Sequence, residues 1–205
     1  MVAIPPSQGK LVYHITHINN MPSILQHGLR SRNNLQQCKL PIISDIADPE
    51  IINKRKNYKE TLSEYVLFHF FQRNPFDVNV CFNHGSENFA LISINRSYCI
   101  NHNFYIIPSH PLDTDTPDIY PYNEGLQHIR WEILDIPHGR DYNNPEIRKA
   151  CMAECITKST VPIEAFGYVY VYNEEAKNTI SAFTNSDKIT IIVNPFMFHQ
   201  SVKIK

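Results

Sequence analysis

The chain has 205 residues, 42% of them hydrophobic, and a formal net charge of −1. The length suits one domain, the composition supports a packed core and excludes a disordered chain, and the charge argues against a general nucleic-acid coat, which needs a strong basic excess. A narrow basic groove stays open: residues 53–59 (Asn-Lys-Arg-Lys-Asn-Tyr-Lys) are the densest positive run, and Arg30 with Arg32 forms a second patch. The plain alternative for both is a solvated face. The apolar runs, such as residues 89–94 and 189–193, fall short of the roughly 20 residues that span a bilayer. The start, Met-Val-Ala-Ile-Pro-Pro-Ser-Gln-Gly-Lys, lacks a basic segment followed by a long apolar one, so no signal peptide and no membrane association are expected. The five cysteines, Cys38, Cys81, Cys99, Cys151 and Cys155, are scattered and form no Cys-x-x-Cys pair. Neither a disulfide framework nor a metal site is expected, and a cytoplasmic location follows.

In chain order, residues 11–14 read as a short apolar strand. Asn19 and Asn20 are helix caps, Pro22 suits the first turn and Gly28 a stop, with Met21, Ile24, Leu25 and Leu29 at helical spacing. Asp48-Pro49-Glu50 begins a second short helix that runs through Lys56. Residues 65–71 and 89–94, rich in aromatic and β-branched side chains, predict strands, with 104–107 a further one. Residues 110–125 read as a loop, because Pro111, Pro117 and Pro121 interrupt them and periodicity is weak. In a strand over 129–133, Ile129, Trp131 and Ile133 would share a face, which favours a core role for Trp131. Residues 145–158 predict a helix, on which Cys151 and Cys155 would lie on one face as small apolar core residues. A strand at 166–172, a helix at 174–183 and a strand at 188–193 complete the chain. Without repeats, linkers or a regular strand–helix–strand rhythm, the expectation is one α+β domain over residues 1–205.

The first residues with chemical potential are His14-Ile15-Thr16-His17. A strand end followed by a turn and a helix start is a good ligand position, and free N–H groups around Met21 and Ser23 could face a diphosphate. His14 and Thr16 have the same parity and point to one side of a strand. A lone histidine is otherwise a structural hydrogen-bonder. Glu154 sits in the apolar stretch Met152-Ala153-Glu154-Cys155-Ile156. A carboxylate there is either paired with a base as structure or poised for work. Arg55, in the basic run, could hold a phosphate or carboxylate in a forked geometry, or be a surface arginine.

At these residues the chain resembles the DarT family, the toxin half of DarT–DarG toxin–antitoxin systems. Four blocks carry the likeness in order: residues 13–29, beginning Tyr-His-Ile-Thr-His-Ile-Asn-Asn-Met-Pro-Ser-Ile-Leu; Asp48-Pro49-Glu50-Ile51-Ile52-Asn53-Lys54-Arg55; Tyr65-Val66-Leu67-Phe68-His69-Phe70; and residues 148–163 around Met152-Ala153-Glu154-Cys155. The third block departs from the family, which commonly has proline where Leu67 stands and tyrosine where His69 stands. The resemblance implies the ADP-ribosyltransferase fold, α+β, with two small packed sheets and flanking helices around an NAD+ cleft. It implies NAD+ as co-substrate, single-stranded DNA as acceptor with thymine favoured over guanine, and an antitoxin partner whose macrodomain removes the modification. It assigns Glu154 and Arg55 to catalysis. His14, Ile15, Thr16, Ser23, Arg55 and His69 would bind NAD+, and His110 and Lys54 would contact DNA. The rival readings are an acceptor that is protein or RNA, an inactive binding module of the same fold, and a cysteine hydrolase built on Cys151 or Cys155.

Overall fold

The computed structural model describes residues 4–40, 44–47, 49–56, 62–113, 117–184 and 189–198. The strands are β1 (Leu11–His17), β2 (Val66–His69), β3 (Phe89–Asn95), β4 (Tyr105–Ile107), β5 (Tyr120–Pro121), β6 (Glu154–Thr157), β7 (Phe166–Val171) and β8 (Ile191–Val193). The helices are α1 (Met21–His27), α2 (Arg32–Gln37), α3 (Pro49–Lys56), α4 (Pro75–His84), α5 (Arg96–Asn101), α6 (Tyr122–Gly125), α7 (Trp131–Leu134), α8 (Pro145–Ala150) and α9 (Glu174–Ser181).

Among the described residues all eight strands belong to one sheet, in the order β5-β4-β6-β2-β1-β3-β7-β8. The α+β expectation holds, whereas the expected pair of separate sheets is one sheet with a weak seam. β1 pairs with β3 along its whole length, from Leu11↔Asn95 to His17↔Phe89. With β2 it shares a single register pair, Tyr13↔His69. Four strands lie on each side of that seam.

β3 is buried at six consecutive positions because both faces of the sheet are covered there. On one face the large apolar cluster contains Val12, Val66, Phe68, Ala90, Ile92, Ile94, Cys155, Val169 and Val171. The other face carries two smaller clusters, one around Ile15, Phe89, Leu91, Val80 and Cys81, the other around Leu62, Tyr65, Ile107 and Ile156. The alternation along each strand decides which cluster a residue joins. α4 is well delimited: Asn74 accepts from the N–H groups of Phe76 and Asp77 (3.0 Å each), Pro75 occupies the first turn, and Gly85 closes it at φ +81°.

Several elements differ from the sequence-based expectation. The first strand runs on to His17. The helix expected over 145–158 ends at Ala150, and residues 154–157 are β6. All four residues of β6 are buried between β2 and β4, and a short fully buried strand shows no alternation to distinguish it from a buried helix. Cys151 therefore closes α8 while Cys155 lies on the strand; both are buried. The loop expected over 110–125 contains β5 and α6. Residues 131–134 are a helical turn, not a strand, although Trp131 does pack on the core: its Nε1 donates to the Leu126 carbonyl (2.9 Å) and its ring meets Phe70 edge-on. Asp48 and Lys188, expected at the starts of a helix and a strand, lie outside the described residues.

Gly125 is required by close approach: a Cβ there would meet the Ile106 Cβ at 2.4 Å. Ile106 is fully buried in β4, beside the strand that carries Glu154. Gly125→Ala should therefore cost about 1–3 kcal/mol by overpacking. At roughly 2–4 °C per kcal/mol for a chain of this size, thermal denaturation should register a drop of several degrees; an unchanged melting temperature contradicts this packing.

Candidate active site

A cavity of about 290 Å3 opens beside the seam. β1 lines it with His14, Ile15 and Thr16, β2 with Leu67 and His69, β6 with Glu154, and α1 with Ser23. Arg30, Arg32, residues 44–47 and Ile51 and Ile52 of α3 line it as well, and His110 adds to the lining from the loop after β4.

The seam shapes this cavity. Continuing the Tyr13↔His69 register would set Ile15 opposite Leu67, but the ladder stops. The Leu67 carbonyl instead bonds to His14 Nδ1 (2.7 Å). A carbonyl only accepts, so Nδ1 carries the proton and Nε2 presents a lone pair. Burial lowers the His14 pKa from 6.5 to about 4, and nearby His69 pushes the same way, outweighing the Leu67 bond. The ring is a neutral, oriented acceptor.

His69 and Glu154 are direct partners across the β2–β6 ladder, so their side chains emerge on the same face. Both are buried, Glu154 with only 2% exposed. The His69 ring lies 6.3 Å from that of Phe76, which also lines the cavity. A carboxylate held on a central strand between two neighbours has little freedom, which suits a group that must meet charge developing at one place.

The opposite wall is tied down by polar contacts. Asn20, expected as a helix cap, makes no capping bond. Its amide donates to the Ser44 carbonyl (2.9 Å) and to Thr16 Oγ1 (3.3 Å), and its Oδ1 accepts from the Ser44 N–H (3.0 Å). Arg32 forms an ion pair with Asp45. Arg30 is aimed by the His27 carbonyl (3.0 Å) and Asn34 Oδ1 (2.9 Å). Arg30, Arg32, the hydroxyls of Thr16, Ser23 and Ser44, and apolar side chains such as Leu29, Ile51 and Ile52 give the cavity a lining that is part charged and part apolar, able to receive a ligand of the same mixed character.

The cavity thus gathers His14, Ile15, Thr16, Ser23, His69, His110 and Glu154 of the residues expected from sequence. Glu154 is there on a strand rather than a helix. Lys54 is not in the lining: it is exposed and pairs with Glu50 one turn away (3.0 Å). Position 55 falls on α3 one turn beyond Ile51 and Ile52, while the Arg55 side chain lies outside the described residues. In the sequence Arg30 and Arg32 read only as a charge patch and Asn20 only as a helix cap, and nothing there marks Asp45 or Phe76 as lining residues. A polar pair such as Asn20 with Ser44 leaves no periodic signature, because its partners are far apart in sequence.

The class to which this sheet and its cavity belong is that of the ADP-ribosyltransferases. The sequence model of the family described as "ssDNA thymidine ADP-ribosyltransferase, DarT" matches residues 13–199. The chain belongs to the DarT family, whose members are DNA ADP-ribosyltransferases that use NAD+. It is 27% identical over 202 residues to a DNA ADP-ribosyl transferase of Escherichia coli O127:H6 (strain E2348/69 / EPEC), covering 91% of each chain. Its fold is similar to that of Thermus sp. 2.9 DarT in complex with ADP-ribosylated ssDNA, with a TM-score of 0.77 at 21% identity, covering 93% of this chain and 96% of that one. It is similar also to Thermosipho africanus DarTG in complex with ADP-ribose, with a TM-score of 0.78 at 23% identity; 93% of this chain covers 51% of that protein, so it spans about half of the longer relative.

His14 gives a direct test. Its folded pKa lies below the ordinary 6.5. Its contribution to stability is therefore complete above pH 6.5 and is lost as pH falls toward about 4, where the unfolded chain takes up a proton that the folded ring resists. In an NMR titration from about pH 8 to about pH 5, the His14 ring should stay neutral with its proton on Nδ1. A midpoint near 6.5 would show that the ring is not held as described.

Proposed function

We propose that this chain transfers ADP-ribose from NAD+ to thymine in single-stranded DNA, releasing nicotinamide, and that it acts as the toxin of a toxin–antitoxin pair. The observation that carries this reading is the placement of Glu154 and His69 as register partners at the seam, with His14 and Thr16 lining the same cavity. In transfer, the bond between the nicotinamide nitrogen and the ribose breaks, a thymine nitrogen bonds to the same ribose carbon, and that nitrogen loses its proton. Positive charge builds on the ribose as the first bond breaks, and the Glu154 carboxylate stabilises it and orients the sugar. His14, Ile15, Thr16, Ser23 and His69 hold NAD+, with His14 Nε2 accepting from the nicotinamide amide. Arg55 orients the acceptor base and offsets the negative charge left when its proton departs. A guanidinium with an ordinary pKa is a poor base, so this role is electrostatic.

His110 and Lys54 take the DNA strand. The Lys54–Glu50 pair is exposed, and such pairs hold weakly enough to be exchanged for a phosphate. A base within a duplex is stacked and cannot bring its edge to the ribose, so the acceptor must be unpaired. An antitoxin with ADP-ribosyl hydrolase activity would reverse the modification in the cytoplasm. Among the described residues, no helix is long and apolar enough to cross a membrane.

Labelled NAD+ offered to separate pools of single-stranded DNA, duplex DNA, RNA and protein should label single-stranded DNA, and annealing the complement should suppress labelling. Equal labelling of duplex, or better labelling of RNA, refutes the acceptor assignment. Glu154→Gln should lower the transfer rate roughly 10²-fold or more while NAD+ affinity, measured by calorimetry, stays within about threefold. Transfer that survives the substitution removes Glu154 from the chemistry.

A further inference from the structure

The row of residues that contains Glu154 does not stop at the seam. Register pairs carry it across five strands: Glu154↔His69, His69↔Tyr13, Tyr13↔Ser93 and Ser93↔Tyr168. Direct partners in antiparallel ladders share a face, so the carboxylate and both tyrosines lie on one side of the sheet. At about 4.8 Å between strands, the row extends roughly 19 Å from β6 to β7. Its outer part is aromatic. The Tyr13 ring lies 6.4 Å from Tyr170, and Tyr170 lies 5.9 Å from Tyr168. Ser93, between Tyr13 and Tyr168, is short and fully buried. Its hydroxyl accepts from the Tyr168 N–H (3.0 Å) and donates to the Tyr168 carbonyl (3.1 Å), leaving the rings as the surface.

Packing covers the inner rings only in part, since Tyr13 and Tyr170 are partly rather than fully buried. Tyr13 and Tyr170 flank the cluster under α4, but Tyr168 is outside it and is 41% exposed. An apolar ring held in file with two others and left open on a sheet face is the arrangement by which proteins stack unpaired bases. Lys10, exposed, immediately precedes β1, the strand that carries Tyr13.

We propose that Tyr13, Tyr170 and Tyr168 form a stacking track for the nucleotides that flank the modified base, leading single-stranded DNA from the cleft across β1, β3 and β7. The proposal rests on the single-stranded DNA reading above. The track would give affinity without a large net charge, because stacking, unlike phosphate neutralisation, needs no excess of cations.

The test compares fluorescent oligothymidylates of about 3 and about 12 nucleotides, measuring binding by anisotropy and, separately, transfer from NAD+. Tyr168→Ala should weaken binding of the longer strand by about tenfold and of the shorter by less than about twofold, and Tyr168→Trp should restore it. NAD+ affinity and melting temperature should not change. An absent loss, or an equal loss on both lengths, overturns the proposal and leaves this face to a protein partner. If the longer strand binds through Tyr168 but receives no ADP-ribose, the track stands and the transferase reading falls. If both lengths are modified without dependence on Tyr168, the transferase reading stands and the track falls.

Discussion

The single register pair between β1 and β2 is the constraint on which the rest of the site depends. β1 devotes its full length to β3 and meets β2 only at Tyr13↔His69. A sheet that parts so early must satisfy the backbone groups its ladder abandons. His14 does this for the Leu67 carbonyl, and in doing so becomes a neutral ring with a fixed tautomer at the edge of the cavity. The same parting leaves room for the cavity that opens beside the seam.

The two walls of the cavity are built differently. The wall that carries Glu154 and His69 is a set of short, buried strands, where the backbone ladders fix side-chain positions. The other wall is made by turns and short helices held through side chains: Asn20 to Ser44, Arg32 to Asp45, Arg30 to Asn34.

Much of the site was legible because it lies in contiguous blocks. His14, Ile15 and Thr16 occupy one strand end, and their resemblance to the family pointed to the cavity they line. Glu154 stands out in the sequence as a carboxylate among apolar neighbours, and the structure puts it in the cavity lining, on a strand rather than the expected helix. The run Cys151-Met152-Ala153-Glu154-Cys155-Ile156 is buried throughout, and burial on every side erases the alternation that separates strand from helix. Trp131 shows the converse: its core role survived although the strand expected there is a helical turn, because hydrophobic burial depends on the side chain more than on the backbone that delivers it.

The sequence by itself determined the class of chain, the family likeness, most strands, and several of the candidate residues that the cavity gathers. These are properties of composition, of short-range periodicity and of local motifs. Only the tertiary structure decided that there is one sheet rather than two, that Glu154 stands opposite His69, and that Asn20 serves the cavity wall rather than a helix cap. Each of those follows from pairing between residues distant along the chain. The energy of such a contact depends on both partners and on register, and neither partner's sequence neighbourhood records the other.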